Sequence, residues 1–314
     1  MIKVGLFIQL VLLTAADDSL VIEPSRLVVE HGSRASANCS SKRRPTGIGW
    51  EASEGQVDMT TGVQFLTWTV EKLTQWDIKP LCYANFETEQ ETVPLPVTVY
   101  KSPDSVSISF RKHTGAVMEG TVYTLQCDIK NVAPVQNLTV NWYKHQSVLD
   151  QATFTNSTKT PVSTSADLQI KPSRTDDGET FRCKATLELG PDGPQPPPTV
   201  TSDPLSITVH YKPEFSNHTE TIKQTGNVIL NCTVTSQPPP VYTWSLGDLN
   251  LNHSSSVYSS SSLRSGNYTC TAANSLGSAK KLFIVEGKNG APPGVTVMNA
   301  LVILAAVLSV VVVE

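Results

Sequence analysis

Six cysteines constrain this chain more than any other feature of its sequence. They form three well-separated pairs, and no C-x-x-C motif occurs. Six cysteines allow fifteen connectivities, and this wide spacing favours pairing in sequential order. Each such bridge contributes about 2–4 kcal/mol by restricting the unfolded chain. The expected disulfides, with separations of 43, 56 and 38 residues, are Cys39–Cys82, Cys127–Cys183 and Cys232–Cys270.

A tryptophan stands between the two cysteines of every pair, about a dozen residues after the first cysteine. This spacing is typical of an immunoglobulin-like β-sandwich, in which the indole packs against the disulfide between the two sheets. Stretches of alternating apolar and polar residues flank the cysteines, as expected for strands. We therefore predict an all-β chain of three tandem immunoglobulin-like domains, over residues 17–100, 101–211 and 212–286. Short linkers that contain proline favour an extended rod.

Both ends of the chain carry the pattern of a processing signal. A lysine, an apolar run over 4–13 and small residues up to Ala16 predict a secretory signal peptide over residues 1–16. Residues 287–314 combine small residues, a spacer of eight residues and the apolar run 301–313. That order predicts a glycosylphosphatidylinositol anchor attached at Asn289 or Gly290. The alternative is a transmembrane tail over 295–313. Either tether predicts a plasma membrane protein with its domains on the extracellular face.

Composition and motifs exclude several functions. The net charge of −4 argues against a nucleic-acid partner. The basic triplet Lys42-Arg43-Arg44 is interpreted as a solvated loop. The six histidines are scattered, so no metal site is expected. The sequence contains no G-x-S-x-G, H-E-x-x-H or phosphate-loop motif, and every cysteine has a partner, so the protein is not expected to be an enzyme or to need a cofactor.

Seven N-x-S/T sequons test the strand assignments. Four of them, at Asn38, Asn137, Asn231 and Asn267, fall on predicted strands at an odd offset from an inward-facing cysteine or tryptophan. Alternate residues of a strand face opposite sides, so all four should point outward, where a glycan must lie. The remaining sequons are at Asn156, Asn217 and Asn252.

The same alternation singles out one carboxylate in the first domain. If Trp50 points into the core, then Glu51 points into solvent at the end of its strand. An outward carboxylate on a rigid strand is suited to bind a partner. The alternative interpretation is that Glu51 is an ordinary solvated side chain without a binding role. Glu54 and Asp58, slightly later in the chain, compete with Glu51 for this role.

Residues 20–211 resemble the intercellular adhesion molecules. The resemblance is based on a glutamate that follows Gly-Ile in the first domain and on several short runs of sequence. In the first domain the run is 81–85, LCYAN; in the second domain the runs are 133–140, APVQNLTV, then 178–183, GETFRC, and 187–189, LEL. The resemblance implies binding to leukocyte integrins through an acidic residue of the first domain, at the position of Glu51. The carboxylate would complete the coordination of a Mg²⁺ ion held by the integrin.

The chain departs from that family at several positions. Arg43 and Phe86 stand where the resemblance implies a second disulfide in the first domain. The vascular cell adhesion molecules, which this chain also resembles, use a later carboxylate, so Glu54 and Asp58 remain candidates.

The alternative class of function is a homophilic or immune-modulating receptor that binds its partner through a sheet face without metal. The sequence leaves the oligomeric state open.

Overall fold

The structure is a computed structural model that describes residues 19–287. The predicted signal peptide, the candidate anchor residues Asn289 and Gly290 and the apolar run 301–313 lie outside the described residues. The chain divides into two compact units, one that ends at Thr208 and one that begins at Val209. Within residues 19–287 the regular structure consists of β-strands and two 3₁₀ turns, which confirms the predicted all-β class.

The first domain is a β-sandwich of nine strands. One sheet has the order β1-β3-β6, the facing sheet has the order β5-β4-β7-β8, and β2 pairs in parallel with β9. Pro24 lies between β1 and β2, and the chain changes its pairing partner there from β3 to β9. The strands are β1 (Leu20–Glu23), β2 (Leu27–Glu30), β3 (Ala35–Ser41), β4 (Gly47–Glu51), β5 (Val57–Thr60), β6 (Phe65–Val70), β7 (Leu81–Asn85), β8 (Gln90–Pro94) and β9 (Val97–Tyr100).

The second domain repeats the sandwich with longer strands. Its sheets have the orders β10-β12-β15 and β14-β13-β16-β17, and β18 also pairs with β16. The proline-rich run 190–198 forms a loop between β16 and β17. The strands are β10 (Ser105–Phe110), β11 (Val117–Met118), β12 (Tyr123–Val132), β13 (Leu138–Lys144), β14 (Ser147–Thr153), β15 (Val162–Ile170), β16 (Thr180–Leu187), β17 (Thr199–Thr201) and β18 (Leu205–Ser206), and the 3₁₀ turns are Val135–Asn137 and Arg174–Asp176.

One strand boundary in the second domain was predicted wrongly, and it carries a sequon. Asn137 is the last residue of a 3₁₀ turn, because its N–H donates to the Pro134 carbonyl at 3.1 Å and closes that turn. The strand begins only at Leu138. Because Asn137 lies outside the strand, its odd offset from Trp142 does not indicate which face of the sheet its side chain points to.

The third domain lies in the second compact unit. Its sheets have the orders β20-β26-β25-β22-β23 and β21-β24. Strands β25 and β26 form a hairpin, in which Asn274 pairs with Gly277 across a loop of two residues. The strands of this unit are β19 (Val209–His210), β20 (Thr219–Lys223), β21 (Val228–Asn231), β22 (Val241–Leu246), β23 (Leu249–Asn250), β24 (Val257–Ser260), β25 (Gly266–Asn274) and β26 (Gly277–Glu286).

The three disulfides form in sequential order, with Cα atoms 6.3, 6.2 and 6.4 Å apart. In each domain the core tryptophan is the cross-strand partner of the second cysteine, so the indole lies beside the bridge. Trp50, Trp142 and Trp244 are at most 1% exposed. In each domain the same buried pair, a tryptophan opposite the second cysteine, thus marks the register between the two strands that carry it.

Candidate functional site

Glu51 lies where strand alternation predicts it. It ends β4 and is exposed, while Trp50 beside it is fully buried. The Trp50 indole N–H donates to the Leu66 carbonyl at 3.1 Å, which holds the ring in the core. Because the strand cannot rotate around this buried ring, the neighbouring carboxylate is held toward solvent.

The outward residues of β4 are Gly47, Gly49 and Glu51, and the glycines leave room for side chains of neighbouring strands. A Cβ atom at Gly49 would lie 2.4 Å from the Tyr83 ring and hydroxyl, and one at Gly47 would lie 2.6 Å from Met59 Cγ. Tyr83 and Met59 therefore lie flat across β4. Glu51 is left as the one outward residue of this strand with a side chain beyond Cα.

A shallow groove of about 400 Å³ surrounds the Glu51 side chain on the outer face of the β5-β4-β7-β8 sheet. We call this surface the carboxylate face. Glu51 pairs across the sheet with Leu81, and Gly49 pairs with Tyr83, so aromatic and apolar surface borders the carboxylate. The groove is lined by Trp50, Glu51, Gln56, Leu81, Tyr83, Gln90 and Thr92.

The three predicted carboxylates differ in availability. The Glu54 carboxylate accepts hydrogen bonds from the Thr74 backbone N–H at 3.0 Å and from the Thr74 hydroxyl at 2.5 Å. Asp58 is exposed in a bulge of β5 and accepts one bond from the Gln56 side chain at 3.3 Å. Within the part of the chain that the structure describes, no hydrogen bond or ion pair involves the Glu51 carboxylate. Glu51 is therefore the most available of the three.

Arg43 links the loop before β4 to the β7–β8 hairpin. Its guanidinium lies 4.0 Å from the centre of the Phe86 ring and forms ion pairs with Glu89 and Glu91. The hydrogen bond that the Arg43 guanidinium donates to the Glu89 carboxylate is the main cause of a raised Arg43 pKa, and the negative charges of Glu91 and Glu89 raise this pKa further. The basic triplet is therefore not a free patch, since its central arginine is paired inside the domain. This contact joins the two positions where the resemblance implies a disulfide.

The carboxylate face contains no sequon. The first domain has a single sequon, at Asn38, on β3 of the opposite sheet, where the asparagine is exposed and accepts a bond from the Thr67 hydroxyl at 2.8 Å. The other sequon asparagines are exposed except Asn137, which is half-buried and donates its side-chain N–H to the Glu188 carbonyl at 2.8 Å. Glycan occupancy stays a prediction at all seven sites.

Sequence reasoning found the carboxylate but missed the residues that shape its surroundings. Gly47, Gly49, Met59 and Tyr83 were not singled out. A usable signal was present, because two glycines at alternate positions of one strand indicate that a neighbouring side chain approaches the backbone closely. The partner of each glycine was not readable, since it depends on strand order.

Two absences hold for residues 19–287. No helix there is long and apolar enough to cross a membrane. No group of three or more His, Cys, Asp or Glu side chains is placed to hold a metal ion.

The fold and the disulfide-centred cores define an immunoglobulin-superfamily protein, and comparison with known families agrees. The family model for the intercellular adhesion molecule N-terminal domain matches residues 16–105. The immunoglobulin I-set domain matches residues 106–193, and a further immunoglobulin domain matches residues 212–274. Immunoglobulin domains thus account for most of the chain, and the first of them is similar to the N-terminal domain of the intercellular adhesion molecules.

Curated relatives match only part of their length. Intercellular adhesion molecule 1 of Macaca mulatta is 26% identical over 171 residues, which cover 54% of this chain and 30% of the relative. Vascular cell adhesion protein 1 of Canis lupus familiaris is 23% identical over 208 residues, which cover 63% of this chain and 28% of the relative. The chain thus spans less than a third of either relative.

Solved structures support the fold alone, because their sequence identity is low. An ectodomain fragment of ICAM-5, domains 1–4, superposes with a TM-score of 0.51 at 16% identity and covers 85% of this chain and 76% of the fragment. The full ectodomain of mouse nectin-like molecule 4 gives a TM-score of 0.53 at 17% identity and covers 85% of this chain and 99% of that one.

Proposed function

We propose that this protein is a cell-surface adhesion receptor whose first domain binds a leukocyte integrin. The observation that carries the proposal is the state of Glu51: an exposed carboxylate without a protein partner in the described residues, at the end of a strand anchored by a buried tryptophan. The similarity of the first domain to the intercellular adhesion molecules selects integrins among the partners of such a group.

The chemistry of the contact is metal coordination. Mg²⁺ prefers oxygen ligands in octahedral geometry and keeps several waters, so one water can be exchanged for a carboxylate oxygen of another protein. Glu51 supplies that oxygen, and the metal belongs to the integrin. Because β4 is rigid, little conformational freedom of the Glu51 backbone is lost on binding.

The surroundings of Glu51 favour docking of a protein surface. Tyr83 lines the groove around Glu51, and Met59, which is 50% exposed, lies against Gly47 of the same strand. Aromatic and apolar side chains around a charged contact exclude water and strengthen it. The absence of a sequon on this sheet leaves the face open to a large partner.

The receptor is tethered outside the cell in this proposal. The predicted signal peptide directs the chain to the secretory pathway, where the disulfides form. The predicted lipid anchor at Asn289 or Gly290 then holds the domains on the extracellular face of the plasma membrane.

The test is adhesion of integrin-bearing leukocytes to cells that display Glu51→Gln, which keeps the side-chain shape and removes the charge. We expect adhesion to weaken on the order of thirtyfold or more, since removing one partner of a desolvated charge contact typically costs 2–5 kcal/mol. EDTA should abolish adhesion of the wild type.

Matched controls are Glu54→Gln and Asp58→Asn. Glu54→Gln should retain adhesion, because the Glu54 carboxylate is bound to Thr74. Full adhesion by Glu51→Gln, or adhesion that persists in EDTA, would contradict the proposal. Loss of adhesion only in Asp58→Asn would move the contact to β5.

A further inference from the structure

The second domain carries a groove of about 330 Å³ on the outer face of its β14-β13-β16-β17 sheet. Register places Tyr143 beside Arg182, and Lys184 beside Thr201. We call this surface the cationic groove. Its lining residues are Tyr143, His145, Gln146, Arg182, Lys184 and Thr201.

Two of the basic side chains around the cationic groove, Lys144 and His145, contact carboxylates, and two do not. Lys144 is paired with Asp176, and the His145 ring contacts Glu179. In the described residues neither Arg182 nor Lys184 forms an ion pair. The groove therefore presents two uncompensated positive charges next to a tyrosine ring, and tyrosine and arginine are enriched in protein interfaces.

Apolar surface continues from the cationic groove onto the edge strand β14. Val148 pairs with Tyr143 and is 58% exposed, and Leu149 is 45% exposed. A purely ionic ligand such as a sulfated glycan would leave this apolar surface in water, and it would find only two free cations. A protein face with few carboxylates and some apolar area fits better.

Both sequons of the second domain lie away from the cationic groove. Asn137 precedes β13, and Asn156 follows Thr153, which pairs with Thr139 at that same end of the sheet. The groove is centred on Tyr143, four residues further along β13, or roughly 13 Å at the rise of a strand. Glycans at these sites would leave the groove accessible.

The carboxylate face has the complementary chemistry. Residues 17–100 contain seven basic and twelve acidic residues, a net charge of −5. Glu51 has no partner in the described residues, and Leu81 and Tyr83, which line the same groove, supply apolar area beside it. The carboxylate face thus exposes an unpaired negative charge, and the cationic groove exposes unpaired positive charges.

We propose that the carboxylate face of one copy docks on the cationic groove of a second copy of this chain, with Glu51 paired to Arg182 and Lys184. Two such contacts related by a twofold axis would close the pair, because each copy carries both surfaces. The proposal is independent of integrin binding, although both use Glu51.

The test is aggregation in EDTA of cells that display the full chain and lack integrins. Wild-type cells should aggregate, and the effect should weaken as salt rises, because opposite charges are screened. Cells with Glu51→Arg alone should not aggregate, and cells with Arg182→Glu alone should not, since each substitution places like charges together. Lys171→Glu, an exposed cation of the same domain outside the cationic groove, is the matched control and should aggregate normally.

Mixing the two single variants distinguishes a specific contact from misfolding. In a mixture of Glu51→Arg cells and Arg182→Glu cells, both contacts join opposite charges again, so mixed aggregates should form at near wild-type yield. Failure of the mixture, aggregation unaffected by either substitution, or loss of aggregation after enzymatic removal of heparan sulfate would overturn the proposal. Leukocyte adhesion needs divalent metal and this contact does not, so the two proposals fail separately.

Discussion

At the scale of single residues, the three core tryptophans share a position but not a hydrogen bond. The indole N–H of Trp50 donates to Leu66 and that of Trp244 donates to the Ser255 carbonyl at 2.8 Å. The buried indole N–H of Trp142 has no acceptor among residues 19–287. A buried donor without a partner carries a desolvation cost that the other two domains avoid.

We predict that replacing each tryptophan by phenylalanine has unequal effects. Trp50→Phe and Trp244→Phe remove an indole hydrogen bond, whereas Trp142→Phe removes a donor that had no acceptor in the described residues. Trp142→Phe should therefore destabilise its domain by about 1–2 kcal/mol less than the others destabilise theirs. Hydrogen exchange of the full chain in urea, resolved by domain, measures each loss. Equal losses in all three domains would contradict this assignment.

At the scale of elements, the corner before strand β25 is tied down by a tyrosine. The Tyr268 hydroxyl donates to the Arg264 carbonyl at 3.1 Å. The matching position before Cys183 is Phe181, which is buried and has no hydroxyl for such a bond. This tyrosine corner is thus present in the third domain and absent from the second.

This corner makes the third domain sensitive to alkaline pH. Burial, and to a smaller extent the charge of Tyr258, raise the pKa of Tyr268 above its usual value of 10.0. A raised pKa in the folded state gives stability that is complete below pH 10 and is lost as pH rises through the folded pKa.

We predict that Tyr268→Phe lowers the stability of the third domain by about 1 kcal/mol at neutral pH, because the Arg264 carbonyl loses its donor. The same variant should lose less stability than the wild type above pH 10. Domain-resolved hydrogen exchange between pH 7 and 11 measures both effects, with the second domain as an internal control. A pH dependence identical to that of the wild type would contradict the role of Tyr268.

At the scale of the whole molecule, the predicted attachment of the chain to the membrane can be tested. The apolar run 301–313 would span about 20 Å as a helix, short of the roughly 30 Å of a bilayer core. We predict that phosphatidylinositol-specific phospholipase C releases the full chain from the cell surface.

The control for release is a chain in which residues 287–314 are replaced by an unrelated transmembrane helix, which the enzyme should not release. Retention of the wild-type chain would instead support a transmembrane tail over 295–313. Substituting Asn289 and Gly290 together by proline should lower surface display if either residue carries the anchor.

The sequence alone determined the fold class, the disulfide pairing and the direction of Glu51. These features depend on patterns that are local or nearly so: cysteine spacing, the position of each tryptophan, and the alternation of side chains along a strand. The same logic failed at Asn137, because a turn before β13 breaks the alternation by one residue.

Tertiary structure decided which of the predicted groups are free to bind. Glu54 is bound by Thr74, twenty residues later, and Arg43 is bound by Glu89 in the turn between β7 and β8, whereas Glu51 and Arg182 have no partner in the described residues. These outcomes depend on strand order and register, which place residues far apart in sequence opposite one another. The sequence names the charged groups, but only the packing of the sheets determines which charges remain unpaired.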